Sequence, residues 1–141
     1  MFRRLEPASP NKDRGPVTED EMKKRLKEFA LRVIRLARAL PDTPEARVIR
    51  YQLLKAGTSP GANYRAACRG RSKAEFIAKL GIVEEEADES VYWMELITEA
   101  GLLRKGLVQS LLDEANEIVA MITKSRMTAS RPSARKTAKE S

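Results

Sequence analysis

Histidine is absent from the chain and cysteine occurs once, at Cys68. Without histidine there is no Ser-His-Asp triad, no Cys-His dyad, no histidine-ligated zinc and no Glu-x-x-His di-iron bundle. A lone cysteine excludes an intramolecular disulfide framework and an all-cysteine zinc site. Long hydrophobic runs are missing too. No segment approaches the roughly 18 apolar residues of a membrane helix, and Met1 to Pro10 lacks the apolar stretch of a secretory signal. A soluble, cytoplasmic protein with no membrane partner is expected.

What the chain has is charge, unevenly placed. Its 141 residues carry 27 Lys+Arg and 20 Asp+Glu, a net +7. Residues 1–17 hold four basic and two acidic groups, residues 124–141 hold six and one, and everything between is balanced at 17 and 17. Pro7, Pro10, Gly15 and Pro16 break up the first tail, and no apolar residue larger than alanine follows Met127. Residues 1–17 and 128–141 are therefore read as disordered arms flanking one domain at 18–127. Within that domain, segments 18–40 and 42–71 sum to +3 and +4, whereas 72–100 sums to −6. Either these are separate solvated faces, or helices and neighbouring subunits meet with complementary charge.

Four helices can be bounded. Thr18-x-x-Glu21 is a capping box, after which Met22, Leu26, Phe29, Val33, Leu36/Ala37 and Leu40 step by three and four until Pro41. Thr43-Pro44 supplies an N-cap and a proline at the first helical position of a second helix that can run to Arg69-Gly70. Ser72-x-x-Glu75 opens a third, with its stripe at Phe76, Leu80, Val83, Ala87, Ser90/Val91, Met94 and Ile97, closed by Gly101. A fourth spans about Leu107 to Arg126 through Val108, Leu111/Leu112, Ala115, Ile118/Val119 and Ile122. Short connections favour antiparallel neighbours, so the predicted fold is all-α: an up-and-down antiparallel four-helix bundle. Ser59-Pro60-Gly61 predicts a kink or local opening inside the second helix, because proline removes a hydrogen bond and clashes with the preceding turn. The inner seam of that helix reads as Gln52, Ala56, Ser59, Asn63, Ala66 and Gly70, either a polar network that sets helix register or a ligand-binding seam.

Residues 52–97 resemble the family of bacterial ribosomal-RNA intervening-sequence proteins, whose pattern is a QL-x-x-A-x-x-S-x-x-x-N run, a basic turn and an SKAEF-like start to an acidic helix. The matching positions are Gln52, Leu53, Ala56, Ser59, Asn63, Arg69, Arg71, Ser72, Lys73, Glu75, Phe76, Glu85 and Glu86, and the likeness extends over about residues 26–125. One departure is Ser59-Pro60-Gly61, where the family often has an apolar residue after the serine. The resemblance implies a homopentameric ring of bundles with no established enzymatic activity. It also implies kinship with the accessory variability proteins of diversity-generating retroelements, similar pentamers that bind nucleic acid and, as a protein client, a reverse transcriptase.

The acidic run Glu84, Glu85, Glu86, Asp88, Glu89 offers carboxylate pairs at i,i+4. No second acidic motif, EF-hand loop or phosphate-cradling glycine loop accompanies it, so no metal, cofactor or catalytic role is expected. It is read as a face that pairs with Arg47, Arg50, Arg65, Arg69 or Arg71 in the same or a neighbouring subunit. Tyr92 and Trp93 border the third stripe, as interface anchors or as edge-of-core packing, and Cys68 reads as a small buried hydrophobe. Contacts of the ring are assigned to Gln52, Ser59, Asn63, Glu85, Glu86 and Trp93. Arg65, Arg69, Arg71 and Lys73, with Tyr64, cluster at the second turn, and Arg47 and Arg50 lie earlier. These six basic residues are the candidate contacts to RNA or DNA, with the C-terminal arm adding sequence-independent phosphate contacts. The function expected is a non-enzymatic nucleic-acid-binding accessory factor; the alternative is an oligomeric scaffold for a protein partner.

Overall fold

A computed structural model describes residues 17–132, so nearly all of the first arm and residues 133–141 of the second lie outside the described residues. Within them are four helices and no strand: α1 (Glu19–Ala39), α2 (Pro44–Cys68), α3 (Lys73–Glu99) and α4 (Lys105–Ser130). None is long and apolar enough to cross a membrane.

Each boundary has a local cause. Thr18 and Glu21 form the reciprocal capping box, with Glu21 N donating to Thr18 Oγ1 at 3.1 Å and Thr18 N to Glu21 Oε1 at 2.9 Å. Thr43 Oγ1 accepts from Ala46 N at 3.2 Å, and Ser72 Oγ from Glu75 N at 3.1 Å. At the end of α3 the chain needs a left-handed residue and has Gly101, with φ 71°. Gly101 N then bonds the Thr98 carbonyl and Leu102 N the Ile97 carbonyl, a Schellman closure that satisfies the last turn. α4 is longer than expected at both ends. It begins at Lys105 with no side-chain cap and continues through Ser130, so the C-terminal arm cannot start at residue 128. The sequence marks neither end, because Arg104 is a poor capping residue and nothing before Pro132 breaks a helix.

The helices pack in sequence order, α1 on α2, α2 on α3 and α3 on α4, and α4 returns to α1; the backbones of the diagonal pairs do not approach closely. Arg25 reaches Glu114 while Arg32, further along α1, reaches Ser110, so α1 and α4 run antiparallel. Likewise the close approaches of Gly57 to Val33 and Gly61 to Leu26 show α1 and α2 running antiparallel. The expected stripes of α1 and α4 supply the core, with Phe29, Leu26, Val33, Ile118 and Ile122 at 1% exposure or less. On α3 only Phe76 falls outside the buried set.

Two expectations about α2 are corrected. It remains α-helical through Ser59-Pro60-Gly61, so the local opening does not form. Pro60 is itself buried, and that packing offsets the one hydrogen bond the ring removes. The core-facing stripe is Ala46, Ile49, Leu53, Ala56/Gly57, Pro60, Tyr64 and Ala67. Of the seam expected instead, only Ala56 is buried; Gln52, Ser59, Asn63, Ala66 and Gly70 are half-buried along the edge. Both sets step by three and four, and with small residues in each the hydrophobic contrast that selects a face is weak.

Candidate nucleic-acid interface

Arg65 and Arg69 stand one turn apart on the last turns of α2, Arg71 lies in the connection and Lys73 opens α3, and all four are exposed. Cations suit this position, because the C-terminus of α2 carries the negative end of the helix dipole. Among the described residues, the side chains of Arg65, Arg69 and Arg71 make no hydrogen bond or ion pair, so nothing competes for their fifteen N–H donors taken together, five on each guanidinium. Lys73 Nζ donates to the Arg131 carbonyl at 3.3 Å. That contact brings the end of α4 to the same end of the bundle and adds Arg131, exposed, to the group. Sequence distance concealed Arg131; only the antiparallel return of α4 delivers it.

Arg47 and Arg50 do not join this cluster. Arg47 precedes Arg65 by 18 positions on one continuous helix, about 27 Å at 1.5 Å per residue. Arg47 Nε pairs with Asp42 Oδ1 at 2.8 Å. The Arg50 guanidinium donates to the carbonyls of Ala37, Leu40 and Pro41 at 3.3, 3.1 and 3.1 Å. It thereby satisfies the end of α1 and fastens the first turn. Tyr64 also leaves the cluster, since it is 6% exposed and belongs to the core. Burial pushes its phenol, and the half-buried Cys68 thiol beside it, above their ordinary values. The upward shift makes the thiol a weaker nucleophile.

The acidic helix is only partly an ion-pairing face, and it does not pair with Arg47, Arg50, Arg65, Arg69 or Arg71 within the chain. Glu84 Oε1 instead receives Arg126 Nε of α4 at 2.7 Å, and Glu86 Oε1 receives Asn63 Nδ2 of α2 at 2.8 Å. Glu85, Asp88 and Glu89 point to solvent. No group of three or more potential ligands capable of holding a metal ion occurs among the described residues. The hydrogen bond from Arg126 holds the Glu84 carboxyl below its ordinary value of 4.5, with burial opposing and Thr123 and the Arg126 charge adding smaller contributions to the lowering. Burial pushes Glu86 upward, with Asn63 opposing and Glu89 and Glu85 adding to the rise. A depressed carboxyl contributes stability above its unfolded value that is lost as pH falls through the folded one. Glu84→Gln should therefore lower the Tm at pH 7, and the deficit should close as the pH drops below about 4.5. Thermal melts across that range check it; an equal deficit at pH 7 and pH 2 would show that the pair is not the cause.

The residues assigned to the ring contacts do not share one face: Glu86 lies on the α2 side of α3, whereas Glu85 lies on its α4 side. Gln52 and Asn63 of α2 face the α3 side, where Asn63 and Glu86 are each other's partners, and Ser59 is half-buried. Gln52 lines a small cavity of about 70 Å³ with Lys55, Ala56, Glu86 and Glu89. Trp93 is half-buried and packed against the core, and Tyr92, 54% exposed, meets it edge-on with ring centroids 5.0 Å apart at 75°. Of the six, only Glu85 is fully exposed. Two features had no sequence signal. Arg25 grips Glu114 through Nε and Nη2 at 2.7 and 2.8 Å and Glu117 at 2.8 Å, closing α1 on α4. The exposed apolar residues Val48 and Tyr51, at 59% and 64%, lie on the outer face of α2.

No curated protein matches the chain. A solved structure of a protein of unknown function from the S23 ribosomal protein family of Bacteroides thetaiotaomicron is similar, at 33% identity and a TM-score of 0.70, covering 74% of this chain and 97% of that one. The sequence profile of the 23S rRNA-intervening sequence proteins matches residues 18–124, from the capping threonine of α1 to the last turns of α4, and the chain belongs to that family.

Proposed function

We propose that this protein is a non-enzymatic, cytoplasmic accessory factor that assembles as a homopentamer and binds the phosphate backbone of nucleic acid. The contacts are Arg65, Arg69, Arg71, Lys73 and Arg131. The observation that carries the reading is the grouping, at one end of the bundle, of three exposed guanidinium groups without partners among the described residues. An arginine whose donors are unused inside the fold is available for bidentate phosphate contact, and five copies around a ring would multiply the potential. The family's description, 23S rRNA-intervening sequence protein, makes a structured RNA the first probe and duplex DNA the second.

The test is the salt dependence of binding. Each phosphate contact contributes roughly 0.7 to 0.9 to the slope of log affinity against log salt. Arg65→Ala/Arg69→Ala/Arg71→Ala should thus flatten that slope by about 2 to 3 while leaving helicity unchanged. A parent that does not bind at ~150 mM salt, or a triple variant that binds as the parent does, would remove the proposal. The scaffold reading would then take over, supported by the exposed Val48, Tyr51 and Tyr92. Assembly is checked separately: light scattering should give five chains of 15.8 kDa, about 79 kDa for a closed ring. A monomer or dimer mass at micromolar concentration speaks against the pentamer and leaves the phosphate contacts to the binding assay.

A further inference from the structure

α1 and α3 are a diagonal pair in the bundle, and they carry opposite charge, since residues 18–40 sum to +3 and residues 72–100 to −6. Their attraction is not satisfied by packing on one another within the chain. The outer face of α1 is a basic stripe, Lys24, Lys27, Arg35 and Arg38 around Leu31, in steps of three and four. On α3, Glu85 lines a groove on the α4 side and Glu89 a small cavity on the α2 side, so the face between them points away from both neighbours. It carries Tyr92 and Ile82, with Glu95 and Glu99 further up the helix. All the charged side chains of the two faces are exposed and make no hydrogen bond or ion pair among the described residues. Leu31, Ile82 and Tyr92 are 47%, 45% and 54% exposed, large apolar surfaces with nothing over them.

We propose that these two faces meet between copies of the chain: the outer face of α1 in one subunit packs on the outer face of α3 in the next. The inference rests on the ring assembly proposed above and names the surfaces that join it. Charge complementarity selects the partner, and register selects the pairing. Inside the chain Gly61 of α2 lies against Leu26 of α1, and Asn63, two residues on, bonds Glu86 of α3. Leu26 and Glu86 therefore stand at nearly one height. α1 and α3 run parallel, because each is antiparallel to α2. Neighbours in a ring whose axis follows the helices keep these heights. Leu31, five residues up from Leu26, then stands about 8 Å above that level, and Tyr92, six up from Glu86, about 9 Å. The same offset places Lys27 between Glu85 and Glu89, Arg35 level with Glu95, and Arg38 beside Glu99. Leu31 thus covers the Tyr92 ring, with ion pairs above and below it. Glu28 and Asp88 lie on the α4 side of their helices, away from the centre of the contact. Two different faces are joined, so the contact runs head to tail around the ring. Of the residues the sequence assigned to ring contacts, Glu85 belongs to this one, and Arg65, Arg69 and Arg71 stay outside it.

Crosslinking and charge reversal in the full chain test it. In a Cys68→Ala background, Leu31→Cys/Tyr92→Cys is oxidised with copper phenanthroline and run on a non-reducing denaturing gel. A head-to-tail contact should give a ladder that rises to five chains, whereas Leu31→Cys alone and Tyr92→Cys alone should stay at monomer mass. Both positions are exposed, so cysteine there leaves the core intact. Light scattering then reads the charges. Lys27→Glu/Arg35→Glu should shift the mass from the ring to the single chain of 15.8 kDa, as should Glu85→Lys/Glu95→Lys. Both reversals combined in one chain should restore the ring, which a loss of folding would not allow; helicity is recorded for each variant. A parent ring that gives no ladder and keeps its mass through both reversals would overturn this contact and leave the ring standing. Crosslinking that stops at dimers, or that occurs in the single-cysteine variants, would overturn it as well, by showing like faces meeting. A parent that stays at 15.8 kDa would remove ring and contact together, while a ladder ending at another number would support the contact and correct the count of five.

Discussion

Phe29→Ala should cost about 3 to 5 kcal/mol, the largest loss expected from any single truncation in this chain. Phe29 is the bulkiest of the fully buried side chains, 1% exposed, near the middle of α1. Removing the ring forfeits its transfer free energy and leaves a cavity that four continuous helices cannot collapse around without shifting the Met22, Leu26 and Val33 stripe on either side. For a domain of this size the Tm should fall by roughly 10 to 20 °C. The melt belongs at a fixed protein concentration, since assembly stabilises by mass action. A fall of only a degree or two would mean that the ring is not enclosed as described.

Gly57→Leu should be nearly as damaging, from the opposite cause. A Cβ at Gly57 would lie 2.7 Å from both methyl groups of Val33 and 3.0 Å from its Cβ, where only the missing side chain lets α1 and α2 touch. Val33 is fully buried, and a β-branched residue in a helix has essentially one rotamer, so it cannot turn aside. The helices must separate instead. Overpacking of this kind costs about 1 to 3 kcal/mol, and leucine at a contact this close belongs at the upper end. Gly57→Ala should still destabilise, although alanine is worth up to about 1 kcal/mol more than glycine in a helix interior. Two other helical glycines are the controls. At Gly61 the nearest atom to an added Cβ is 3.6 Å away, and at Gly81 nothing lies within 4 Å. Alanine at either should hold or raise the Tm. If all three alanine variants behaved alike, helix propensity alone would govern them and the close α1–α2 contact would not exist.

The readings that held rest on strong local chemistry. Thr18, Thr43 and Ser72 cap the helices they were expected to cap, because a side-chain oxygen that satisfies an early backbone N–H acts within three residues. Gly101 ends α3 for an equally local reason. The apolar stripes of α1, α3 and α4 were legible because large aliphatic residues contrast sharply with the charged residues between them. α2 was misread where that contrast fails. Ala56, Gly57, Ser59, Pro60 and Asn63 differ little in hydrophobicity, so two interleaved stripes fit the period equally well. What chose between them was Val33 and Leu26 on α1, more than twenty residues away.

The grouping of charges shows the same division. Composition alone determined that the chain carries a surplus of cations, an acidic third helix and no histidine, and hence which chemistries are excluded. Which arginines act together was decided by tertiary structure. Arg50 sits on the carbonyls that end α1, Arg126 on Glu84 and Arg25 on Glu114 and Glu117. Arg65, Arg69 and Arg71 are left without a partner among the described residues, and Arg131 is brought beside them by Lys73. Caps and stripes act over one or two helical turns and are written in consecutive residues. Ion pairs and free surfaces depend on which helix lies alongside, and the antiparallel packing of the four helices sets that.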